Sequence, residues 1–180
     1  MARRIMMMLL AGAVVPGVVA CGGSTEGSPT AEGSATSASA APVELWDPCT
    51  GIPEDVIAAV ELVPETKESG IGGVDQTGWE ICRWRNRVYS MTVFSTDRPV
   101  AEFESKPGNV EFQDVTVAGR AGRQFKVEGA SKDLLCDVLF PAKQGVVQLR
   151  VSKLMSVDNP EDPCAILDRV GASIVPVFPQ

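Results

Sequence analysis

Short runs of apolar, β-branched and aromatic residues alternate with polar turn residues through the middle of the chain. Runs of this length, bounded by Gly, Pro, Asn, Asp or Lys, are typical of β-strands. Because the gaps between the runs are short, neighbouring strands are expected to pair antiparallel. The pattern predicts six strands, over residues 78–85, 88–95, 110–117, 119–127, 134–141 and 145–151.

Two helical patterns flank the predicted strands, over residues 52–60 and 165–175. The tripeptide Asp-Pro-Cys precedes both, at 47–49 and at 162–164, and proline suits the first turn of a helix because its missing N–H loses no partner there. A third, short helix is predicted over 99–105. This order predicts an α+β domain, with a curved antiparallel sheet of about five or six strands and the N- and C-terminal helices packed on one face.

The first residues have the layout of an export signal. Arg3 and Arg4 precede an apolar run over residues 5–15, and small residues lead up to Cys21. A charged end, a short apolar core and a small-residue cut site are typical of a secretory signal peptide. The segment is shorter than the roughly 20 apolar residues that a membrane-spanning helix needs. General secretion is favoured over a twin-arginine signal, because the residues that usually flank the twin arginines are absent.

Val18, Val19, Ala20 and Cys21 resemble the lipobox of bacterial lipoproteins. In those proteins the cysteine thiol receives a diacylglyceryl group before the signal peptidase cuts. The resemblance implies that residues 1–20 are a lipoprotein signal peptide and that Cys21 is the lipidated first residue of the mature chain. The alternative is an ordinary signal peptide with an incidental cysteine.

Residues 22–42 consist of Gly, Ser, Thr, Ala and Pro with two glutamates. Such a segment cannot bury enough apolar surface to fold. Together with the lipidated cysteine it is predicted to form a flexible tether over residues 21–42. The tether would hold a single disulfide-bonded domain, residues 43–180, away from the membrane.

The predicted domain contains four further cysteines, Cys49, Cys82, Cys136 and Cys164. An even number of cysteines in an exported chain is the setting in which disulfides form and persist. Four cysteines allow three pairings, and the sequence alone does not choose between them. The economical arrangement fastens each helix start to a nearby strand, which favours Cys49–Cys82 and Cys136–Cys164.

The chain contains no histidine, carries a formal net charge of −7 and has a pI near 4.7. The absence of imidazole excludes every catalytic arrangement that depends on it and removes the commonest zinc ligand. The domain cysteines are too widely spaced for a typical zinc site, so no metal is predicted. The acidic balance argues against a nucleic-acid partner. No glycine loop that would cradle a phosphate is present, and no cofactor is predicted.

Arg83, Arg85 and Arg87 alternate along the chain and are the candidate anion-binding residues. If Cys82 and Trp84 face the core, the three guanidinium groups project from the opposite face of one strand. There they could hold an anionic ligand such as a phosphodiester of the envelope. The simpler alternative is a solvated face that pairs with some of the many acidic side chains.

The combined pattern resembles an actinobacterial family of exported lipoproteins that is defined only as domain of unknown function 3558. The features that carry the resemblance are the lipobox, the tether, the two Asp-Pro-Cys corners and the Cys82-Arg83-Trp84 strand. The resemblance implies an extracytoplasmic protein, lipid-anchored at the outer face of the cytoplasmic membrane. The family brings no accepted catalytic residues.

The function expected from these features is that of a non-enzymatic binding module of the cell envelope, with an envelope protein or a cell-wall component as its partner. The alternative is a carrier that holds a lipid or other apolar ligand in a cavity between the sheet and the helices. An enzyme of this composition would have to use carboxylates and arginines alone.

Overall fold

The computed structural model describes residues 44–129, 132–155 and 161–180. The predicted signal peptide, Cys21 and the predicted tether lie outside the described residues. The described part forms α1 (Pro48–Gly51), α2 (Glu54–Ala59), β1 (Val63–Ser69), β2 (Trp79–Arg85), β3 (Tyr89–Thr96), α3 (Val100–Ser105), β4 (Asn109–Val117), β5 (Arg120–Val127), β6 (Leu135–Ala142), β7 (Gly145–Lys153) and α4 (Pro163–Ile174), followed by a short 3₁₀ helix (Val175–Val177).

The seven strands form one antiparallel sheet in the order β1-β2-β3-β7-β6-β5-β4. Strands β1 to β3 form one meander and β4 to β7 form another. The segment that contains α3 crosses from the end of β3 to the far edge of the sheet, where β4 begins. The two meanders meet in the centre, where β3 pairs with β7 over eight residues. Six of these strands are those predicted from the hydrophobic pattern.

The sheet has an apolar cluster on each face. Because successive strand residues point to opposite faces, Val138 and Leu139 of β6 belong to different clusters. Val138 lies in the larger cluster, which also contains Ile57 of α2 and Ile166 of α4. Leu139 lies in the smaller cluster with Phe103 of α3. We call the face of Val138 the helix face and the face of Leu139 the cleft face.

Two Asp-Pro-Cys corners fasten helices to the helix face. Asp47 caps α1 by accepting a hydrogen bond from the backbone N–H of Cys49 at 2.7 Å, and Asp162 caps α4 by accepting one from the N–H of Cys164 at 2.8 Å. Aspartate is a preferred residue at this position because it satisfies an N–H that has no partner in the helix. The structure joins Cys49 to Cys82 on β2 and Cys164 to Cys136 on β6. This pairing is the one favoured from the sequence.

The helix face is closely packed around α4. A Cβ atom added at Gly171 would lie 2.5 Å from Cγ1 of Val117, so the glycine lets this helix lie directly on β4. Phe178, which follows the helix, contacts the rings of Trp46 and Phe140 at centroid distances of 5.7 and 5.8 Å. The C-terminal segment therefore covers the same core as the residues before α1.

The expectation of five or six strands was wrong by one, because β1 was missed. Its sequence, Val-Pro-Glu-Thr-Lys-Glu-Ser, contains a single large apolar residue, Val63, and the side chains alternate between exposed and half-buried. Since β1 lies at the edge of the sheet, it packs little against the core. Charged residues and proline are common on edge strands, where they discourage pairing with another chain.

The first predicted helix, over 52–60, was also wrong in detail. The structure confines it to α2, Glu54–Ala59, and a separate short helix, α1, precedes it, with Ile52 in an extended conformation between the two. Ile52 precedes Pro53, and the proline ring disfavours helical geometry in the residue before it. The short helix predicted over 99–105 is confirmed as α3. Among the described residues, no helix combines the length and the apolar character needed to cross a bilayer.

Candidate functional site

A cleft of about 470 Å³ opens on the cleft face of the sheet. Strands β2, β3, β7, β6 and β5 contribute to its floor, and α3 with the segment that follows it forms one wall. Its apolar lining includes Trp79, Ile81, Phe94, Phe103, Phe125 and Val127, and its polar lining includes Lys106, Asn109, Gln148 and Arg150. The volume falls within the range of small-ligand sites, roughly 300–1,000 Å³.

Aromatic contacts hold the mouth of the cleft in shape. The ring of Trp79 contacts Phe94 at 6.2 Å and Phe103 at 6.0 Å, both edge to face. The guanidinium of Arg98 lies over the ring of Trp79, 5.7 Å from its centroid, and also pairs with Glu102 of α3. Offset and edge-to-face contacts of this kind are favourable beyond the area that they bury. Trp79, the first residue of β2, therefore links the sheet to α3.

A buried carboxylate lies beneath the floor of the cleft. Asp137 on β6 is fully buried, and its Oδ1 accepts hydrogen bonds from Nε2 of Gln148 at 2.5 Å and from Nε of Arg150 at 2.7 Å. Its Oδ2 is buried without a partner in the described structure. Arg150 is the cross-strand neighbour of Asp137 on β7 and remains 28% exposed. The carboxylate thus holds a partly exposed arginine in a fixed position.

Burial raises the pKa of the Asp137 carboxyl above its ordinary value of 3.8. The charge of Arg150 and the hydrogen bonds from Arg150 and Gln148 act in the opposite direction, as does the charge of Lys106. A charged group in a buried position loses the solvation that water provides, which disfavours the ionised carboxylate. At Asp137 the loss of solvation therefore outweighs the neighbouring charges and hydrogen bonds.

A second recess of about 350 Å³ adjoins the cleft, and we call it the polar recess after its arginine, lysine and hydroxyl residues. Four residues line both spaces, namely Ile71, Ile81, Phe94 and Arg150. The remaining lining of this polar recess includes Arg83 and Lys153 together with the hydroxyl residues Ser90, Thr92 and Ser152. Arg150 stands at the boundary between the apolar cleft and the polar recess.

The three candidate arginines do not converge on one site. Arg83 and Arg85 lie on β2, on the face opposite Cys82 and Trp84, as expected if those two residues are buried. The expectation that Arg87 continues this strand was wrong, because β2 ends at Arg85 and Arg87 lies in the turn before β3. Arg83 lines the polar recess, whereas Arg85 and Arg87 line a separate open depression near Val63.

Sequence reasoning missed Asp137, Gln148 and Arg150. Each interrupts a strand that is otherwise almost continuously apolar. Polar and charged residues are rarely buried without a partner, so their presence in such strands is a usable signal. Alternation also places all three on the same side as Leu139, away from Cys136 and Val138. Their pairing depends on the register between β6 and β7, which the sequence did not provide.

The described residues contain no group of three or more Cys, Asp or Glu side chains arranged to hold a metal ion.

Comparison with known proteins identifies the family. The family model described as "Protein of unknown function (DUF3558)" matches residues 16–176, and the chain belongs to this family. The family expected from the sequence is thereby confirmed. No curated protein and no solved structure matches the chain significantly.

The raised pKa of Asp137 predicts a pH-dependent cost of the buried charge. The protonated carboxyl of Asp137 adds its full contribution to the stability of the fold below about pH 3.8. This contribution is lost as the pH rises through the higher pKa of the folded state, because the buried group must then ionise. Asp137→Asn has no carboxyl to ionise, so it does not lose this stability. The free energy of unfolding of the variant, relative to that of the wild type, should therefore increase as the pH rises above 3.8.

Urea unfolding at a series of pH values measures this difference, with Asp97→Asn as the matched control for loss of one exposed carboxylate. A difference that decreases with rising pH would mean that the folded protein holds Asp137 more acidic than the unfolded chain does, and would contradict the prediction.

Proposed function

We propose that the protein is an extracytoplasmic lipoprotein, anchored at the outer face of the cytoplasmic membrane, and that it acts as a non-enzymatic binding module. The anchor is supported by the lipobox pattern that ends at Cys21 and by the short apolar run before it. Two acyl chains give stable attachment, because each buried methylene contributes about 0.8 kcal/mol. The segment over residues 22–42 would then serve as the spacer between the membrane and the folded domain.

The two disulfides support export to an oxidising compartment. Cys49–Cys82 and Cys136–Cys164 account for all four cysteines of the described residues. Disulfides persist in secreted and extracellular proteins and are rare where thiols are kept reduced. In the chain-entropy model, each closed loop of this length contributes roughly 3 to 4 kcal/mol to stability.

The cleft is the observation that carries the binding function. It is concave, its volume suits a small molecule, and its lining combines aromatic and aliphatic walls with a few polar groups. This combination is typical of sites that bind small ligands. The geometry therefore favours the carrier form of the proposal, in which the domain holds an apolar or partly apolar ligand.

The position of the cleft differs from the one expected from the sequence. A carrier cavity was expected between the sheet and its N- and C-terminal helices, but the cleft lies on the other face, beside α3. The helix face is filled by α2, α4 and the C-terminal residues. The ligand would enter instead between α3 and the loop after β1.

We keep the binding module non-enzymatic in this proposal. The described lining of the cleft holds amide, lysine and arginine side chains but no carboxylate pair. General acid–base catalysis uses His, Glu, Asp, Lys, Tyr or Cys, and the described lining contains Lys106 alone of these types. Asp137 lies beneath the floor with Arg150 and Gln148 between it and the open space, where it supports the arginine.

A second candidate function is the docking of an envelope protein or a cell-wall component. Ile71 and Val74, in the loop between β1 and β2, are 59% and 61% exposed, and Ile71 also lines the cleft. Apolar residues grouped at one edge are a feature of docking surfaces. They are equally suited to cover a ligand in the cleft.

Lipidation at Cys21 predicts a direct chemical result. Cells that produce the wild-type chain with labelled palmitate should label it, and the mature protein should begin at Cys21. Cys21→Ser should incorporate no label because the acceptor thiol is gone. Cys49→Ser is the control and should keep the label, since its thiol belongs to a disulfide. A mature chain that retains residues 1–20 and carries no lipid would contradict the anchor.

Filling the cleft predicts loss of its ligand. Val127 lines the cleft, so Val127→Trp should occupy part of its volume, whereas Val63→Trp makes the same change on β1, outside the cleft. Each protein is purified from its native membrane, and bound small molecules are measured by mass spectrometry. We expect a stoichiometric ligand in the wild type and in Val63→Trp, and severalfold less in Val127→Trp.

If the same amount of ligand is bound to all three proteins, the ligand binds outside the cleft. A captured protein in place of a small molecule would favour the docking alternative.

A further inference from the structure

A single row of side chains crosses the centre of the cleft face. Arg83 on β2 lies opposite Thr92 on β3, Thr92 lies opposite Arg150 on β7, and Arg150 lies opposite Asp137 on β6. Residues directly opposite one another in antiparallel strands share a face. Because neighbouring strands are about 4.8 Å apart, the backbones of Arg83 and Arg150 are separated by about 10 Å. Two arginine side chains can span this distance and meet on one group between them.

Arg150 is held in place from two sides. Its Nε donates to Asp137 at 2.7 Å, and its guanidinium lies over the ring of Phe94 at 5.3 Å from the centroid. Neither of its terminal nitrogens donates to any residue that the structure describes, and the side chain is partly exposed. An arginine fixed through Nε keeps its two terminal N–H pairs free for a bidentate contact with an oxyanion.

Arg83 is available in the same way. Within the described structure its side chain makes one hydrogen bond, from Nη2 to Oγ of Ser90 at 3.4 Å, and no ion pair. Glu68, its register partner on β1, does not lie within ion-pair distance. A half-buried arginine without a carboxylate partner is a good receptor for an anion from outside the protein.

The lining of the polar recess matches an oxyanion. Besides the two arginines and Lys153 it contains the hydroxyl residues Ser90, Thr92 and Ser152, and none of its described lining residues is acidic. Hydroxyls donate hydrogen bonds to anionic oxygens. The carboxylate of Asp137 balances the charge of Arg150, so the excess positive charge of the recess comes from Arg83 and Lys153. The acidic protein therefore has a local positive site on this face.

The polar recess and the cleft share four lining residues, so the two spaces lie side by side on this face. A molecule with its charged group beside Arg150 would extend its remaining atoms along Ile81 and Phe94 toward Phe125 and Val127. A free anion such as inorganic phosphate would leave that apolar surface unused. A neutral hydrocarbon would leave the two guanidinium groups without a partner.

We propose that the ligand is an anionic amphiphile, with one oxyanion headgroup held between Arg83 and Arg150 and an apolar body lying in the cleft. This inference rests on the proposed function, since it names the class of molecule that the binding module holds. It assigns the row of Arg83, Thr92 and Arg150 as the headgroup site.

Isothermal titration calorimetry of the purified protein tests the proposal with three probes. Dodecyl phosphate, below its micelle concentration, carries both parts of the ligand. Dodecyl glucoside carries the apolar chain without charge, and inorganic phosphate carries the charge without the chain. We expect dodecyl phosphate to bind at least tenfold more tightly than either of the others.

Two variants test the headgroup site and one serves as a control. Arg83→Gln removes one charge without breaking an ion pair, so it should fold and should weaken binding of dodecyl phosphate by about tenfold or more, since hydrogen bonds to charged groups are the strong ones. Arg150→Gln should weaken it as well. Arg85→Gln makes the same change two residues along β2, outside the polar recess, and should bind within about twofold of the wild type.

The outcomes distinguish a failure of the headgroup site from a failure of the ligand-binding function. If dodecyl glucoside binds as tightly as dodecyl phosphate, or if Arg83→Gln binds dodecyl phosphate like the wild type, the headgroup site is wrong although the cleft still binds ligands. If inorganic phosphate binds as tightly as dodecyl phosphate, the polar recess takes a free anion and the amphiphile is wrong. If none of the three probes binds, both this inference and the ligand-binding function fail.

Discussion

The pairing of β3 with β7 is the interaction on which the rest of the structure depends. It joins two meanders that are each held together by short connections, and it extends over eight residue pairs from Tyr89–Lys153 to Thr96–Val146. Its partners lie 50 to 64 residues apart along the chain, so their contact must offset the entropy of closing a long loop. Without this pairing, β2 and β6 would not lie within one sheet, and the central row of the cleft face would not exist.

The two faces of this sheet are covered in different ways. The helix face holds the larger apolar cluster, and both disulfides end there, at the fully buried Cys82 and Cys136. Each disulfide ties a capped helix start to the sheet, so the packing of this face is fixed at two separate points. The cleft face is covered in part by α3 and keeps buried polar groups beside its apolar cluster. Both disulfides and the larger apolar cluster therefore lie on the helix face, and the cleft on which the proposed function rests lies on the other face.

Much of the fold could be predicted from local patterns. Six strands, the short helix α3 and the pairing favoured for the cysteines follow from alternation, from turn residues and from the repeated Asp-Pro-Cys corners, all of which act over a few residues. β1 could not be predicted in this way, because an edge strand packs on few neighbours and its side chains need not be apolar. The break at Ile52 was available in principle from Pro53.

The site was harder to predict than the fold, because it depends on register. Arg83 was a candidate from its position in the sequence, but the neighbours proposed for it were Arg85 and Arg87 on its own strand. The structure instead places Thr92 of β3 next to it and Arg150 of β7 one strand further along. The register of these strands could not be predicted from the sequence. A shift of one residue between β3 and β7 would turn Arg150 to the helix face, since alternate residues point to opposite sides. Register of this kind is set by the packing of both faces together.

Cross-strand nuclear Overhauser effects in the labelled domain test this register most directly. The account predicts contacts that join Met91 to Val151 and Thr92 to Arg150, with one pair linked through α-protons and the other through amide protons, as expected for adjacent pairs in an antiparallel ladder. Contacts that join Thr92 to Val151 or to Leu149 as its direct partner would place Arg150 on the other face and would contradict the account.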